Sequence, residues 1–354
     1  MAMIESVEPS AGIAIVPEGQ VFQAPKNTKT LSHSDLKRVV ENAPDEIVKG
    51  LIPECSVNIA VGDSGLGKTP LLAQMAVCVA TGKPFLDLPV RRGTVLWVDY
   101  ENGEAPLGEL LDGLAAHLGL PQIPEELRIL SQPSSSAEIQ HELRTIRPSL
   151  VIVDALRGYD PKAEKDNTAA GEALSKLQKT CSEPRTAVLL IHHIRKPDME
   201  NPQSLAIADS ALSWLLQASG ARALVNQSFV RIAIDRCSTP PAELVLRGHY
   251  KLRGEIGPWQ IARKYDDAGE PIGYFRLTGV ALLRPDERDA LASLHEEFTF
   301  TEAERAYGKP GGNPTAKFLT RCQAFGVVEK LGRHKKTRYR KLEPSTSGSN
   351  GSEA

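Results

Sequence analysis

The sequence predicts an α/β fold: a mostly parallel sheet extended by antiparallel strands, followed by a small separate unit. Three observations carry this. Between residues 56 and 193, the short apolar runs SVNIAV, TVLWVDY, SLVIVDA and TAVLLIHH alternate with longer stretches of helical pattern. That alternation is the mark of βαβ units whose sheet is covered on both faces. After Ser219 the pattern shortens to FVRIAID, AELVLRGHYKL, PWQIARKY and GYFRL, which alternate as antiparallel hairpins do. Past a break near Leu283 to Pro285, amphipathic helical stretches and a basic hairpin pattern form a region of their own.

The elements follow in order. Residues 1–35 mix Pro, Gly, Gln and Ser without periodicity and are expected to form a flexible arm. Residues 36–282 form the expected main domain. In it SVNIAV is a strand, LLAQMAVCVA an apolar helix, TVLWVDY a strand and LGELLDGLAAHLGL an amphipathic helix. A short strand at LRIL, a helix over Ala137 to Ile146, the strand SLVIVDA, a helix over Ala169 to Thr180 and the strand TAVLLIHH complete the parallel part. Residues 283–342 form the second unit, and residues 343–354, PSTSGSNGSEA with its flank, a disordered tail.

Composition narrows the function classes. The chain has 354 residues, of which 41% are hydrophobic and 24% charged, the balance of a globular protein able to bury a core. Its formal net charge of −2 confines any nucleic-acid contact to local patches. The five cysteines lie far apart with no CxxC pair, which points to reduced thiols rather than a disulfide framework or a zinc site. MAMIESVEPS is acidic where a signal peptide is basic, and no apolar run reaches the ~18 residues of a membrane span. A cytoplasmic protein without a membrane segment is expected.

The chemistry starts at VGDSGLGKTP. Gly62, Asp63, Ser64, Gly65, Leu66, Gly67, Lys68 and Thr69 fulfil GxxxxGK[ST] between an apolar strand and an apolar helix, the setting a phosphate loop requires. The glycines let backbone N–H groups wrap phosphates at a helix N-terminus. Lys68 reaches the β and γ phosphates of ATP, and the Thr69 hydroxyl takes Mg2+. Pro70 then sits in the first helical turn, where a backbone N–H has no intrahelical partner and a fixed φ is already suitable. The helix is expected to form, with one fewer donor for the α phosphate. Two further strands end in carboxylates. SLVIVDA supplies Asp154 for magnesium, and TVLWVDYEN supplies Asp99 and Glu101, either of which can orient or deprotonate the attacking water.

Four blocks in this order, EIVKGLIPECSVNIAVGDSGLGKT, CVATGKPFLDLPVRRGTVLWVDYENG, LVIVDALRGY and LLIHHIRKP, resemble the RecA-like P-loop NTPases of the AAA ATPase class. Among these they are most similar to the RepA-type hexameric replicative helicases of plasmids, phages and mobile elements, related to DnaB and KaiC. The resemblance spans about residues 45 to 265. It implies that Glu101 rather than Asp99 is the catalytic carboxylate. It also implies that His193, one of two histidines that strand alternation sends to opposite faces, contacts the γ phosphate. Arg195 and Lys196 then fall in the loop that lines the channel of such rings and touches single-stranded DNA. The family also supplies a basic pair to the γ phosphate of a neighbouring subunit. Lys251 and Arg253, expected on one face of a strand, fit that part, with Arg222, Arg231 and Arg236 competing.

In the second unit, RPDERDALASLHEEF, TEAERAYG, GGNPTAKFLTRCQAFG and VVEKLGRHKKTRYRKL read as helix, short helix, helix and hairpin, a winged-helix pattern. Arg333, His334, Lys335, Lys336, Arg338, Arg340 and Lys341 cluster at the wing, and the second helix is expected to enter a DNA major groove through Asn313, Thr315 and Lys317. The expected protein is thus an ATP-hydrolysing homo-oligomer, a hexamer by family resemblance, acting on DNA as a helicase. The alternative is a regulatory ATPase that switches a DNA-binding winged helix without unwinding. A small-molecule kinase is a third reading.

Overall fold

The computed structural model describes residues 30–41, 45–133, 135–163, 166–182, 185–194, 211–216, 222–237, 241–308, 312–332 and 337–342. Arg195, Lys196, Arg333, His334, Lys335 and Lys336, most of the expected arm and the tail lie outside the described residues. The chain divides into two units after Ala43. In the first, helix α1 (His33–Glu41) crosses residue 35, where the sequence pattern passes from arm to domain. It begins at a reciprocal cap: Asp35 N donates to Ser32 Oγ, and the Asp35 carboxylate accepts from Ser32 N at 2.9 Å.

The second unit opens with a small hairpin, β1 (Glu46–Val48) and β2 (Ile52–Pro53), and then builds a nine-stranded sheet. Its first elements are β3 (Val57–Gly62), α2 (Lys68–Thr81), β4 (Val95–Asp99), α3 (Glu104–His117), β5 (Leu127–Ser131) and α4 (Ser136–Ile146). Next come β6 (Leu150–Asp154), α5 (Leu156–Tyr159), α6 (Asn167–Ser182), β7 (Ala187–His193), α7 (Ala211–Leu215) and α8 (Arg222–Gln227). The strands β8 (Val230–Arg236), β9 (Leu244–Tyr250), β10 (Gly254–Tyr265) and β11 (Pro271–Arg276) complete it. The spatial order is β11-β10-β9-β8-β3-β7-β6-β4-β5. Pairs from β8 to β5 are parallel, and those from β8 to β11 antiparallel.

Burial on both faces explains why the parallel strands are apolar at every position. Along β6, Leu150 and Ile152 join one core while Val151 and Val153 join the other, and β7 divides Leu189 from Leu190 in the same way. Helix α2 is buried from Leu71 to Ala80, so it is apolar on all sides rather than amphipathic. The antiparallel strands return toward α2. Tyr274 of β11 exchanges two backbone bonds with the Gln74 side-chain amide, at 2.7 and 2.8 Å.

Two sequence expectations change here. Lys251 and Arg253 do not lie on a strand, since β9 stops at Tyr250 and the chain reverses over 251–253. Gly254, at φ 91°, permits the reversal and leaves Leu252 85% exposed at its tip. In the C-terminal region, HEEF is not the end of a helix. Helix α9 (Pro285–Ser293) stops, and β12 (Glu297–Thr299) pairs with β14 (Arg338–Lys341). Between them in sequence lie α10 (Phe300–Tyr307), α11 (Gly312–Ala324) and β13 (Val328–Leu331), and the small sheet runs β12-β14-β13. Leu291, Phe298, Phe318, Leu319 and Val328 fill a core separate from those of the large sheet.

Candidate nucleotide site

The phosphate loop runs from the end of β3 into α2. Gly62 packs so closely that a Cβ there would lie 2.7 Å from the Ile234 carbonyl oxygen. Gly67 has φ 96° and caps α2, and a Cβ there would meet the Tyr274 hydroxyl at 2.7 Å. The first intrahelical bond, Leu71 N to Gly67 O at 3.1 Å, starts one residue after Pro70. The proline therefore removes no bond from the helix.

Lys68 is 5% exposed, and its ammonium donates to Asp63 O at 2.6 Å. Burial lowers its pKa, while Asp154, Asp63 and Glu101 act in the opposite direction. Nζ also lies 3.3 Å from His193 Nδ1. An ammonium has no lone pair, so this bond needs Nδ1 as acceptor and places the ring proton on Nε2. His193 Nε2 is in turn 3.6 Å from Glu101 Oε2. Lys68, His193 and Glu101 thus form a row, with Glu101 exposed at its open end. His192, next in the strand, is fully buried.

The two aspartates have different surroundings. Asp99 is fully buried, and its carboxylate accepts from Asn102 N, Asn102 Nδ2 and Gly103 N, the last at 2.8 Å. These bonds close the turn that projects Glu101. Asp154, 2% exposed, accepts from the Thr69 hydroxyl at 2.7 Å and from Asn102 Nδ2 at 3.0 Å. Burial raises its pKa, opposed by those two bonds and reinforced by Glu101 and Asp99. A hydroxyl beside a carboxylate is the oxygen donor set that magnesium uses when phosphates and water complete its shell.

Residues from far along the chain also bind the loop's backbone. Arg263 donates to Leu66 O at 3.0 Å and to Glu243 Oε2 at 3.1 Å, and the Tyr274 hydroxyl donates to Gly67 O at 3.4 Å. Between these residues and the loop opens a cavity of about 400 Å³ lined by Gly65, Leu66, Arg236, Glu243, Leu244 and Arg263. Sequence reasoning missed Asn102, Glu243, Arg263 and Tyr274. The Asp-x-x-Asn-Gly run at 99–103 carried a turn signal for the first. No local signal marks the other three.

The basic candidates are scattered. Arg231 is 6% exposed and donates to Val225 O, Asn226 O and His249, so its charge is directed inward. Arg236 borders the cavity beside the chain's own loop. Arg222 is exposed at the start of α8. Lys251 and Arg253 lie at the opposite end of the sheet, where Arg253 pairs with Glu46 at 2.6 Å and lies over the Tyr250 ring. At the C-terminal hairpin, Arg338 and Arg340 face Glu297, and Lys341 donates to Leu294 O at 2.5 Å. Thr315, expected to face outward, is fully buried in the small core.

Residues 24–199 match the family model described as AAA domain. The match takes in the loop and the strands bearing Asp99, Asp154 and His193, and it supports a P-loop ATPase domain of AAA type over these residues. No curated protein matches the chain. Among the described residues, no helix is long and apolar enough to cross a membrane.

Proposed function

We propose that this P-loop ATPase domain hydrolyses ATP to drive work on DNA in the cytoplasm, as a ring-forming helicase of the RepA and DnaB kind from a plasmid, phage or mobile element. The row Lys68, His193 and Glu101 carries the reading. It joins a phosphate-binding ammonium to an exposed carboxylate through one imidazole, at 3.3 and 3.6 Å. In this assignment the amides of the loop and Lys68 hold the β and γ phosphates. Glu101 aims water at the terminal phosphorus and takes its proton. His193 reports whether the γ phosphate is present, since losing that anion changes what both its neighbours face. Thr69 and Asp154 would hold magnesium, which neutralises phosphate charge when bound. The cavity beside Leu66 offers room for the nucleoside.

Lys251 and Arg253 stand at the end of the sheet away from the loop, so they would act on a nucleotide bound by an adjacent copy. Hydrolysis then depends on assembly, for which we propose a hexamer around single-stranded DNA, with Arg195 and Lys196 facing the strand. We read the C-terminal body as a winged helix, with Arg338, Arg333, Lys335 and Lys336 on its wing. That body, with a core of its own, favours a second reading in which the ATPase only switches a DNA-binding domain. Strand displacement by the purified chain separates the two. ATP turnover measured against protein concentration, with and without single-stranded DNA, tests catalysis and assembly. Turnover independent of both would reject the ring helicase.

A further inference from the structure

A cavity of about 280 Å³ opens in the C-terminal body, several times the roughly 30 Å³ that one water occupies in the liquid. Its lining includes Arg284, Tyr307, Asn313, Lys317 and Arg321. Asn313, Lys317 and Arg321 are spaced four residues apart along α11, so one helix face presents an amide and two cations. Arg284, the N-cap of α9, faces them from across the cavity.

The charges here are unevenly matched. Glu287 is fully buried, and its Oε1 accepts from Arg284 Nη2 at 2.8 Å and also from Arg321 Nη2. Two guanidiniums therefore share one carboxylate oxygen. Asp286, half-exposed, comes within 3.8 Å of Arg284 Nε, and Lys317 is exposed on the rim. Three cations face two acids, and one acid lies buried beneath the floor. The guanidiniums remain 42% and 33% exposed, so both are open to a ligand from the solvent side. Burial, followed by the like charge of Arg284, depresses the pKa of Arg321. Arginine forks beside a lysine suit a phosphate, which accepts several charge-assisted bonds at once.

We propose that Arg284, Lys317 and Arg321 form a phosphate-binding site, which takes a phosphate of the DNA backbone. The source of that phosphate rests on the reading of the C-terminal body as DNA-binding, whereas the site itself does not. Unlike the wing residues Arg338 and Arg340, whose charges face Glu297, Lys317 has room to meet a second anion.

The test uses the full chain, a DNA duplex and inorganic phosphate as probes, and the variants Lys317→Gln, Arg321→Lys and Lys264→Gln. Lys264 is exposed on β10 and serves as a charge-matched control. Lys317→Gln is expected to weaken duplex binding about threefold or more and to lower the slope of log affinity against log salt by about one. Arg321→Lys, which keeps the charge but loses the fork, weakens it as well, and Lys264→Gln leaves both quantities unchanged. If the wild type binds no duplex, yet phosphate shifts the Tyr307 and Asn313 NMR resonances in a Lys317-dependent manner, the site stands with free phosphate and the DNA reading falls. Wild-type duplex affinity and slope in both Lys317→Gln and Arg321→Lys, with those resonances unmoved by phosphate, would overturn the site.

Discussion

The Thr69 hydroxyl lies 2.7 Å from Asp154 Oδ2, joining the first turn of α2 to the tip of a strand two places away in the sheet. Asp154 is buried, and its pKa is raised mainly for that reason. A carboxyl raised above its unfolded value takes up a proton in the folded chain first. The ligand-free protein therefore gains stability as pH falls through that raised pKa, and loses this contribution as pH rises above it. Magnesium needs the ionised form, so Mg–nucleotide affinity is expected to fall over the same acidic window. Asp154→Asn should melt higher than wild type without ligand at neutral pH, lose magnesium-dependent nucleotide binding and flatten both pH profiles. Calorimetry and nucleotide titration across that range check all three.

In the proposed assignment Glu101 and Asp99, two residues apart, divide catalysis from architecture. Glu101→Gln is expected to lower turnover by about 10²- to 10⁴-fold, with nucleotide affinity close to wild type. Asp99→Asn removes acceptors from Asn102 and Gly103 and should cost about 1–3 kcal/mol of stability. Single-turnover kinetics beside denaturant melts distinguish them. Equal loss of turnover without loss of stability in Asp99→Asn would reverse the assignment.

Tyr274 restricts Gly67. Gly67→Ala combines a left-handed backbone, costing about 1–3 kcal/mol for a residue with Cβ, with a collision against the Tyr274 hydroxyl. Nucleotide affinity should fall sharply. Removing the hydroxyl in Tyr274→Phe is expected to restore only part of it, because φ is unchanged. A double-mutant cycle on nucleotide affinity measures the coupling, and additive effects would refute a direct contact.

Arg231 and Arg253 make opposite predictions. Arg231→Ala leaves the Val225 and Asn226 carbonyls without their donor and is expected to destabilise the fold by about 1–3 kcal/mol. Arg253, 67% exposed on the hairpin turn, pairs with Glu46, and its loss should cost at most about 1 kcal/mol. Under the proposed assembly, Arg253→Ala nonetheless lowers turnover at protein concentrations where wild-type turnover rises. Titrating protein concentration in the hydrolysis assay checks this.

Much of the framework is legible in local sequence. The phosphate loop, the strands ending at Asp99, Asp154 and His193, and the apolar helix after Pro70 can each be read within a short window. Each depends on turn sterics, strand alternation or helix-end hydrogen bonding, which neighbouring residues determine. Only the tertiary structure decided that Asp99 folds the turn while Glu101 remains open. It also decided that Arg231 is directed inward and that Lys251 and Arg253 occupy a reversal. The clamp of Arg263 and Tyr274 on the loop joins residues about 200 positions apart. Such contacts depend on how the sheet curves back over α2, and no hydrophobic period records which distant side chain will meet a given backbone carbonyl.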